Sequence, residues 1–377
     1  MYAAVWVILI LINTFNKGGI GLLSLQTGIC HLFGINVPII QAGMAGGPAT
    51  AKLAAAVSEA GGLGTLGAAY MEPEALRKAI VEIKEATGKP FAVNIFTSKD
   101  KDDFSRLVEV QRALAPFRKE LMIEEPPITS SAEWSRQQFD ICMEMGVPVV
   151  STAFGLLEPE QVEAAKAAGI QIIAMATTVE EAKLAESSGV DAVVAQGSEA
   201  GGHRGTFSLK THSDGAQIGT LSLVPQIVDA VKIPVIAAGG IADGRGLIAA
   251  LALGADAVQI GTRFLLAKEA GTHPAYQQKV IDANEEHTVI TKSFSGRPAR
   301  AIKNRFLSKF EETGTRPLPF PSHNTVTRDI RTAAAKQGNS EFMSLWAGQS
   351  LRLINGKASA AETIGEIMED ARRIIGE

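Results

Sequence analysis

The feature that most constrains the fold is a repeat. Short apolar or glycine-laced runs occur at PIIQAG (38–43), GLGTLG (62–67), FAVNIF (91–96), PVVSTAF (148–154), IQIIAMA (170–176), DAVVAQG (191–197), PVIAAGG (234–240) and AVQIGT (257–262). Helical patterns alternate with them, among them TAKLAAAVSEAGG, PEALRKAIVEIKEATG, EPEQVEAAKAAG, TVEEAKLAESSG, LVPQIVDAVK and DGRGLIAALALGA. Several of these carry acidic or capping residues at the start and glycine at the end, as helix termini prefer. The runs are near-continuously hydrophobic rather than alternating, so each strand is covered on both faces, as in a parallel sheet. Eight β/α units in series predict an α/β fold of the TIM (β/α)8 type.

Two segments depart from the repeat. Residues 97–147 are too long for a simple connection between the third and fourth strands and are expected to hold extra helices crossing the barrel face. After the eighth strand, KSFSGRPARAIKNRF (292–306) and an expected helix in NSEFMSLWAGQS (339–350) form a C-terminal extension. The expected layout is therefore an apolar extension over 1–30 outside the fold, a barrel over 31–270 with its insertion at 97–147, and a substrate cap over 271–377. The apolar run Ala3–Ile12 is ten residues, whereas a bilayer span needs about 18. No basic residue precedes it and no small-residue cleavage pattern follows closely, so neither an anchor nor a signal is expected.

Charge narrows the class of partner. With 36 basic and 40 acidic residues and a formal net charge of −4, in no long block of one sign, the chain lacks the footprint of a nucleic-acid or anionic-membrane binder. Small molecules are the expected partners. Cys30 and Cys142 stand far apart with no metal-ligand spacing, so no metal site is expected, and a reducing cytoplasm fits their usage.

The barrel reading gives QGSEAGGHRG (196–205) its meaning. This stretch leaves the C-terminal end of the sixth strand, the face where barrel enzymes keep their chemistry. His203 is thus the candidate catalytic residue, and the glycines around it allow a planar ligand to approach the backbone. Gly239, Gly240, Gly261 and Thr262 end the seventh and eighth strands, where backbone N–H groups commonly bind phosphate. Asn94 and Gln196, amides at strand ends, offer donors and acceptors suited to the edge of a flavin ring. GLGTLG matches a dinucleotide fingerprint by its letters, but a helix precedes it and no helix opens from it, so these glycines are read as a strand built for close approach. Arg297, Arg300, Lys303 and Arg305 form a local basic run, read as an ion-pairing face, with attraction of an anionic substrate as the alternative.

Taken together, QAGMAGG (41–47), FAVNIF, QGSEAGGHRG, AAGGIADGRG, VQIGTRFL and SGRPARAIKNRF resemble, in order and spacing, the nitronate monooxygenases, and the SGRPAR and WAGQ motifs resemble the bacterial class I group. The resemblance runs from about residue 30 to the C-terminus. It implies a barrel carrying noncovalent FMN against Gly43, Met44, Asn94, Gln196, Gly201, Gly239, Gly240, Gln259, Ile260, Gly261 and Thr262. It also implies His203 as the active-site histidine. Ser293 and Ser295, in the C-terminal extension, are candidate substrate contacts, with a turn or helix-cap role as the alternative for both. The implied reaction is oxidation of an alkyl nitronate by O2 to a carbonyl compound and nitrite or related nitrogen oxides. Parts of the same motifs occur in flavin-dependent enoyl-acyl-carrier-protein reductases and quinone reductases, so an NAD(P)H-dependent flavin reductase is the alternative.

Overall fold

The computed structural model describes residues 24–354 and 356–377. The expected 1–30 extension lies outside the described residues up to position 23. Eight parallel strands form the central sheet: β1 (Ile39–Gln41), β2 (Gly64–Gly67), β3 (Phe91–Phe96), β4 (Val149–Ala153), β5 (Gln171–Ala176), β6 (Ala192–Gln196), β8 (Val235–Ala238) and β9 (Ala257–Ile260). Their order is β1-β9-β8-β6-β5-β4-β3-β2. The ring closes because Leu63, just ahead of β2, bridges Ile40, with Gln41 N–H donating to Leu63 O at 3.0 Å. The protein is a TIM barrel. Every one of the eight expected strands forms within the run that predicted it, because parallel strands buried on both faces leave a plain apolar signature.

Side chains inside the ring, including Ile40, Ala92, Val149, Ile173, Val194 and Ile236, form one cluster with Ile29, Cys30 and Phe33. Those last three belong to a short helix, Gly28–Phe33, that seats itself in the barrel's N-terminal end. Residues 24–30 therefore join the fold earlier than the first strand signal at Pro38 suggests; Leu25 and Ile29 are both buried. Each such large apolar side chain contributes roughly 1.5–3 kcal/mol when fully buried. With that end plugged, the C-terminal mouth is left for chemistry.

The barrel is interrupted twice. Residues 97–147 contain two helices of different allegiance. Ser135–Glu144 packs on the helix Pro73–Ala86 and on β3, in the position of a barrel helix. Leu107–Leu121 instead joins a second hydrophobic core through Val110, Leu114, Phe117 and Leu121. That second core also takes Leu265, Phe294, Phe306, Phe310, Ile330 and Phe342, and it is the cap. The chain leaves the barrel near Ala267 and returns at Ala358, where the two residues bridge. It then forms the long helix Ala360–Ile375, whose Ile364, Ile367, Met368 and Ala371 belong to the barrel's own core. The residues after 271 thus supply both cap and final barrel helix. The helix expected in NSEFMSLWAGQS is not there: a 3-10 turn over Ser340–Phe342 gives way to extended chain, with Trp346 bridging Ala301. Pairing to a neighbouring strand overrides the local helical pattern.

Candidate active site

A small second sheet carries the histidine. The pair Gly202–His203 (β7) hydrogen-bonds to β11 (Ala299–Ile302), which pairs in turn with β10 (Thr288–Thr291), all antiparallel. His203 lies opposite Ala299. The loop leaving β6 is therefore one strand of the cap, and cap and barrel mouth are welded together at this residue.

Two side chains, Gln196 and Arg204, fix the loop from below. Gln196 Nε2 donates to His203 O at 3.0 Å and Gln196 Oε1 accepts from Gly205 N–H at 2.8 Å. Arg204, wholly buried, donates to Gln196 O and Gly197 O, each at 2.7 Å, and to Ala216 O at 3.3 Å. A buried guanidinium solvated by carbonyl groups in place of a carboxylate is costly unless each N–H finds a partner. Here the carbonyls at the end of β6 supply them, and Arg204 thereby sets the direction in which His203 leaves the strand.

The imidazole itself has one nitrogen engaged. His203 Nε2 lies 2.8 Å from Ser295 Oγ, while Nδ1 has no partner among the described residues. Nor does Nδ1 appear among the enclosed polar atoms that lack one; it keeps accessible surface. Aromatic rings crowd the imidazole: Trp346 at 5.0 Å, Phe154 at 5.7 Å and Phe320 at 6.5 Å between centroids. This burial holds the His203 pKa far below its ordinary value, at about 3, and the charges of Arg297 and Arg331 push it the same way. The ring is neutral throughout the physiological range.

Ser295 connects the imidazole to the chain beyond. Its Oγ accepts from Arg297 N–H at 3.2 Å and also lies 3.2 Å from Arg297 O. The single hydroxyl hydrogen therefore goes either to Arg297 O, leaving His203 with its proton on Nε2, or to His203 Nε2, leaving the proton on Nδ1. Both tautomers satisfy the network. Ser293 is placed elsewhere: its hydroxyl accepts from Thr291 Oγ1 at 3.1 Å, and its carbonyl faces His323 Nε2 at 2.8 Å inside the cap. Of the two serines, only Ser295 is brought to His203.

Across the mouth, Asn94 lies inside β3, two residues short of its end, and donates to Ser151 Oγ at 2.7 Å. Gly43 follows β1, and a Cβ built on it would lie 2.4 Å from Asn94 Cβ, so glycine is required there. Met44 is next to it, half-buried. The glycines of GLGTLG also serve close approach: a Cβ on Gly64 would strike Ala54 O at 1.8 Å, and one on Gly67 the Met44 backbone at 2.6 Å. The approaching groups are a helix and a loop.

At the ends of β8 and β9, Gly239 (φ +115°) and Gly240 (φ +73°) turn through the left-handed region. The N–H groups of Gly239, Gly240 and Gly261 have no acceptor among the described residues. Only Glu199 Cβ and Cγ come within 4 Å of a Cβ built on Gly240, and Gly261 meets only Ala42 and Met44. A Cβ on Gly239 would instead meet Thr220 Oγ1 at 2.8 Å, so the open space lies at Gly240 and Gly261; free N–H donors at this end of a barrel are the makings of an anion site. Gln259 and Ile260 lie on β9 just before it. Thr262 and Gly201 are used differently. Thr262 Oγ1 accepts from Gly348 N–H at 2.9 Å, and a Cβ on Gly201 would strike Gly348 N at 2.4 Å. These two residues hold the WAGQ segment of the cap against the mouth.

Two further features shape the site. Phe154, just after β4, sits at φ +73°, a conformation that costs a non-glycine residue roughly 1–3 kcal/mol and is found where surroundings enforce it. Its ring contacts His203, Phe96 and Phe320, and the Arg297 guanidinium lies 4.0 Å from its centroid. Arg297 is the second feature. It is essentially inaccessible and pairs with Asp100 at 2.9 Å. The basic run thus does not act as one face: Arg300 donates to Ser198 O and Thr288 Oγ1, and Arg305 pairs with Glu120 on the surface.

A closed β/α barrel whose C-terminal mouth presents a neutral histidine, free backbone donors and an aromatic cap defines a TIM-barrel enzyme. Residues 27–370 match the family model for nitronate monooxygenase. A probable nitronate monooxygenase of Staphylococcus saprophyticus is 44% identical over 358 residues, covering 94% of this chain and 99% of that protein. Among solved structures, nitroalkane oxidase from Streptomyces ansochromogenes superposes with a TM-score of 0.85 at 38% identity, covering 92% of this chain and 98% of its own. FabK from Thermotoga maritima does so with a TM-score of 0.75 at 34% identity, covering 94% and 98%. The chain belongs to the nitronate monooxygenase family and is an oxidoreductase. No helix among the described residues is long and apolar enough to cross a membrane.

Proposed function

We infer that the protein oxidises alkyl nitronates, propionate 3-nitronate among them, with FMN as cofactor and O2 as oxidant, giving a carbonyl compound and nitrite or related nitrogen oxides. The observation that carries the reading is His203, a neutral imidazole with one nitrogen tied to Ser295 and the other open, beside turns that offer unpaired N–H groups. Those turns fit a phosphate-bearing flavin: Gly239, Gly240 and Gly261 would hold the phosphate, with Gln259 and Ile260 beside them, while Gly43, Met44 and Asn94 would meet the ring system. Gln196 fits less directly, because both of its polar atoms are spent on the histidine loop. FMN, when bound, supplies the redox chemistry, receiving electrons from the organic substrate and delivering them to O2.

The protein's part is position and charge. With Ser295 Oγ–H donating to Nε2, His203 Nδ1–H donates to the nitro oxygens of the anion. With the proton on Nε2 instead, Nδ1 presents a lone pair that can receive the α-proton of a neutral nitro compound. Phe154, Phe320 and Trp346 limit the access of water to the imidazole, which strengthens either interaction. The competing reading, an NAD(P)H-dependent flavin reductase of the enoyl-acyl-carrier-protein or quinone type, draws on the likeness to FabK. Anaerobic mixing separates the two. Bleaching of flavin absorbance by ethylnitronate but not by NADH is expected; rapid bleaching by NADH alone would transfer the protein to the reductases. Release of FAD rather than FMN on denaturation, read by mass spectrometry, would overturn the cofactor assignment.

A further inference from the structure

Arg297 is a buried cation for which the reaction above has no use. Its Nη1 pairs with Asp100 and its Nη2 donates to Thr206 O, while Nε has no partner among the described residues. Nothing leaves it room to touch a substrate: it is 1% exposed, with its guanidinium 4.0 Å from the Phe154 ring centroid. Burial lowers its pKa to about 10, so it stays charged at neutral pH. Its counter-charge is arranged unequally. Asp100 is 44% exposed, on the segment after β3, facing away toward solvent. Glu181 is the other carboxylate that acts on Arg297, and it is occupied by Thr177 and the Phe207 N–H. Phe154 also meets His203, at 5.7 Å between ring centroids, and the charges that act on the imidazole are Arg297 and Arg331, both cations. Arg331 donates to Asn324 and to Thr327 O and has no carboxylate within ion-pair distance among the described residues.

We propose that Arg297, packed on Phe154 and without touching the substrate, makes this site select anions over their neutral conjugate acids, and that Asp100 sets how strongly it does so. A charge screened by an aromatic ring instead of water keeps its reach. An anion at His203 gains from it, whereas a neutral nitroalkane of the same shape gains almost nothing. Removing the Asp100 charge leaves more of the Arg297 field uncancelled. For its pair of substrates the proposal rests on the nitronate reading, but the selection of anions is a property of the site that an inert ion also reports.

The test uses full-length protein with the flavin it carries when isolated, as wild type and as Arg297→Met, Arg297→Lys and Asp100→Asn. Nitrate, a planar anion that cannot be oxidised, is titrated calorimetrically, and initial rates are measured with ethylnitronate and, separately, nitroethane. Arg297→Met is expected to weaken nitrate binding and raise the ethylnitronate KM about 10- to 100-fold, the effect of one charge several ångströms away in a partly buried site. Nitroethane should change by less than about threefold, and Arg297→Lys, which keeps the charge, should recover most of the loss. Asp100→Asn should tighten nitrate by roughly two- to tenfold. Should Arg297→Met fail to fold, Asp100→Asn and Arg297→Lys decide alone. Unchanged nitrate affinity in Asp100→Asn, or a parallel loss of nitrate and nitroethane in Arg297→Met, would overturn the proposal, the second result by showing that the guanidinium only supports Phe154. A wild type that oxidises no nitronate would defeat the nitronate reading, while the nitrate titrations would still decide the role of Arg297.

Discussion

His203 at the barrel mouth and His323 inside the cap are both surrounded by protein, and burial holds both far below the usual histidine range, at about 3 and about 4. What separates them is hydrogen bonding. His323 is completely buried and spends both nitrogens on backbone: Nδ1 accepts from Leu318 N–H at 3.2 Å, and Nε2–H donates to Ser293 O at 2.8 Å. Its tautomer is fixed and no valence remains. His203 spends one nitrogen on a serine and keeps the other open. Burial and a displaced pKa are common to a structural and a functional histidine, so neither identifies the function. The unspent nitrogen is what supports the role proposed for His203.

The sharpest way to break this comparison is to remove each ring. His203→Asn should lower turnover of ethylnitronate on the order of 10²- to 10⁴-fold while flavin content stays at the wild-type level, as expected for a group acting in the transition state. His323→Asn should leave kcat within a few-fold. A His203→Asn enzyme with full flavin and wild-type kinetics would make the two histidines equals.

The next effect is on stability and concerns His323. Its folded pKa of about 4 lies below the ordinary value near 6.5, so the unfolded chain binds the extra proton first. Stability from this group is whole above about pH 6.5 and is lost as pH falls toward 4, by up to about 3 kcal/mol. Urea midpoints measured at pH 7 and pH 4.5 should differ more in wild type than in His323→Gln, whose side chain does not titrate. An equal pH dependence in both proteins would show that His323 does not carry the acid sensitivity.

Comparable in size is the cost of the His323 bonds themselves. Replacing His323 by Phe leaves the Leu318 N–H and the Ser293 carbonyl buried without partners, which should destabilise the protein by about 2–4 kcal/mol at pH 7. Chemical denaturation checks this, with activity per folded molecule expected to stay near wild type.

The smallest effect tests the tie to Ser295. Ser295→Ala removes one hydrogen bond from an imidazole still held by its backbone pairing to Ala299. A loss of up to about tenfold in kcat/KM is expected, the worth of one such bond. If Ser295 orders the tautomer, the nitronate and nitroethane rates should fall by different factors; an identical fall with both would assign the hydroxyl to packing.

Much of this molecule was legible from its residues. The eight strands follow from runs of Val, Ile and Ala that only a doubly covered parallel sheet would bury, and the mouth of the barrel follows from glycines and amides at the ends of those runs. Placing His203 there needed only the repeat and its phase. The local basic run misled because charge along a sequence says nothing about burial: Arg297 is enclosed and Arg305 is on the surface, eight positions apart. The second serine misled for a related reason. Ser293 and Ser295 are two residues apart near a turn, and which one meets the imidazole depends on where β11 pairs.

What the sequence by itself determined is the part of the protein whose physics is local or periodic: the parallel strands, most of the helices, and the turns in which glycine alone fits. Tertiary structure decided everything that depends on contacts between distant segments. It assigned the helix Ser135–Glu144 to the barrel and Leu107–Leu121 to the cap, brought Ala360–Ile375 back across nearly a hundred residues to complete the ring, and drew the WAGQ segment out of its helical pattern into a bridge with Ala301. It also chose between two histidines. A residue's type sets which hydrogen bonds it can make, but only packing of the whole chain sets which of them are already made.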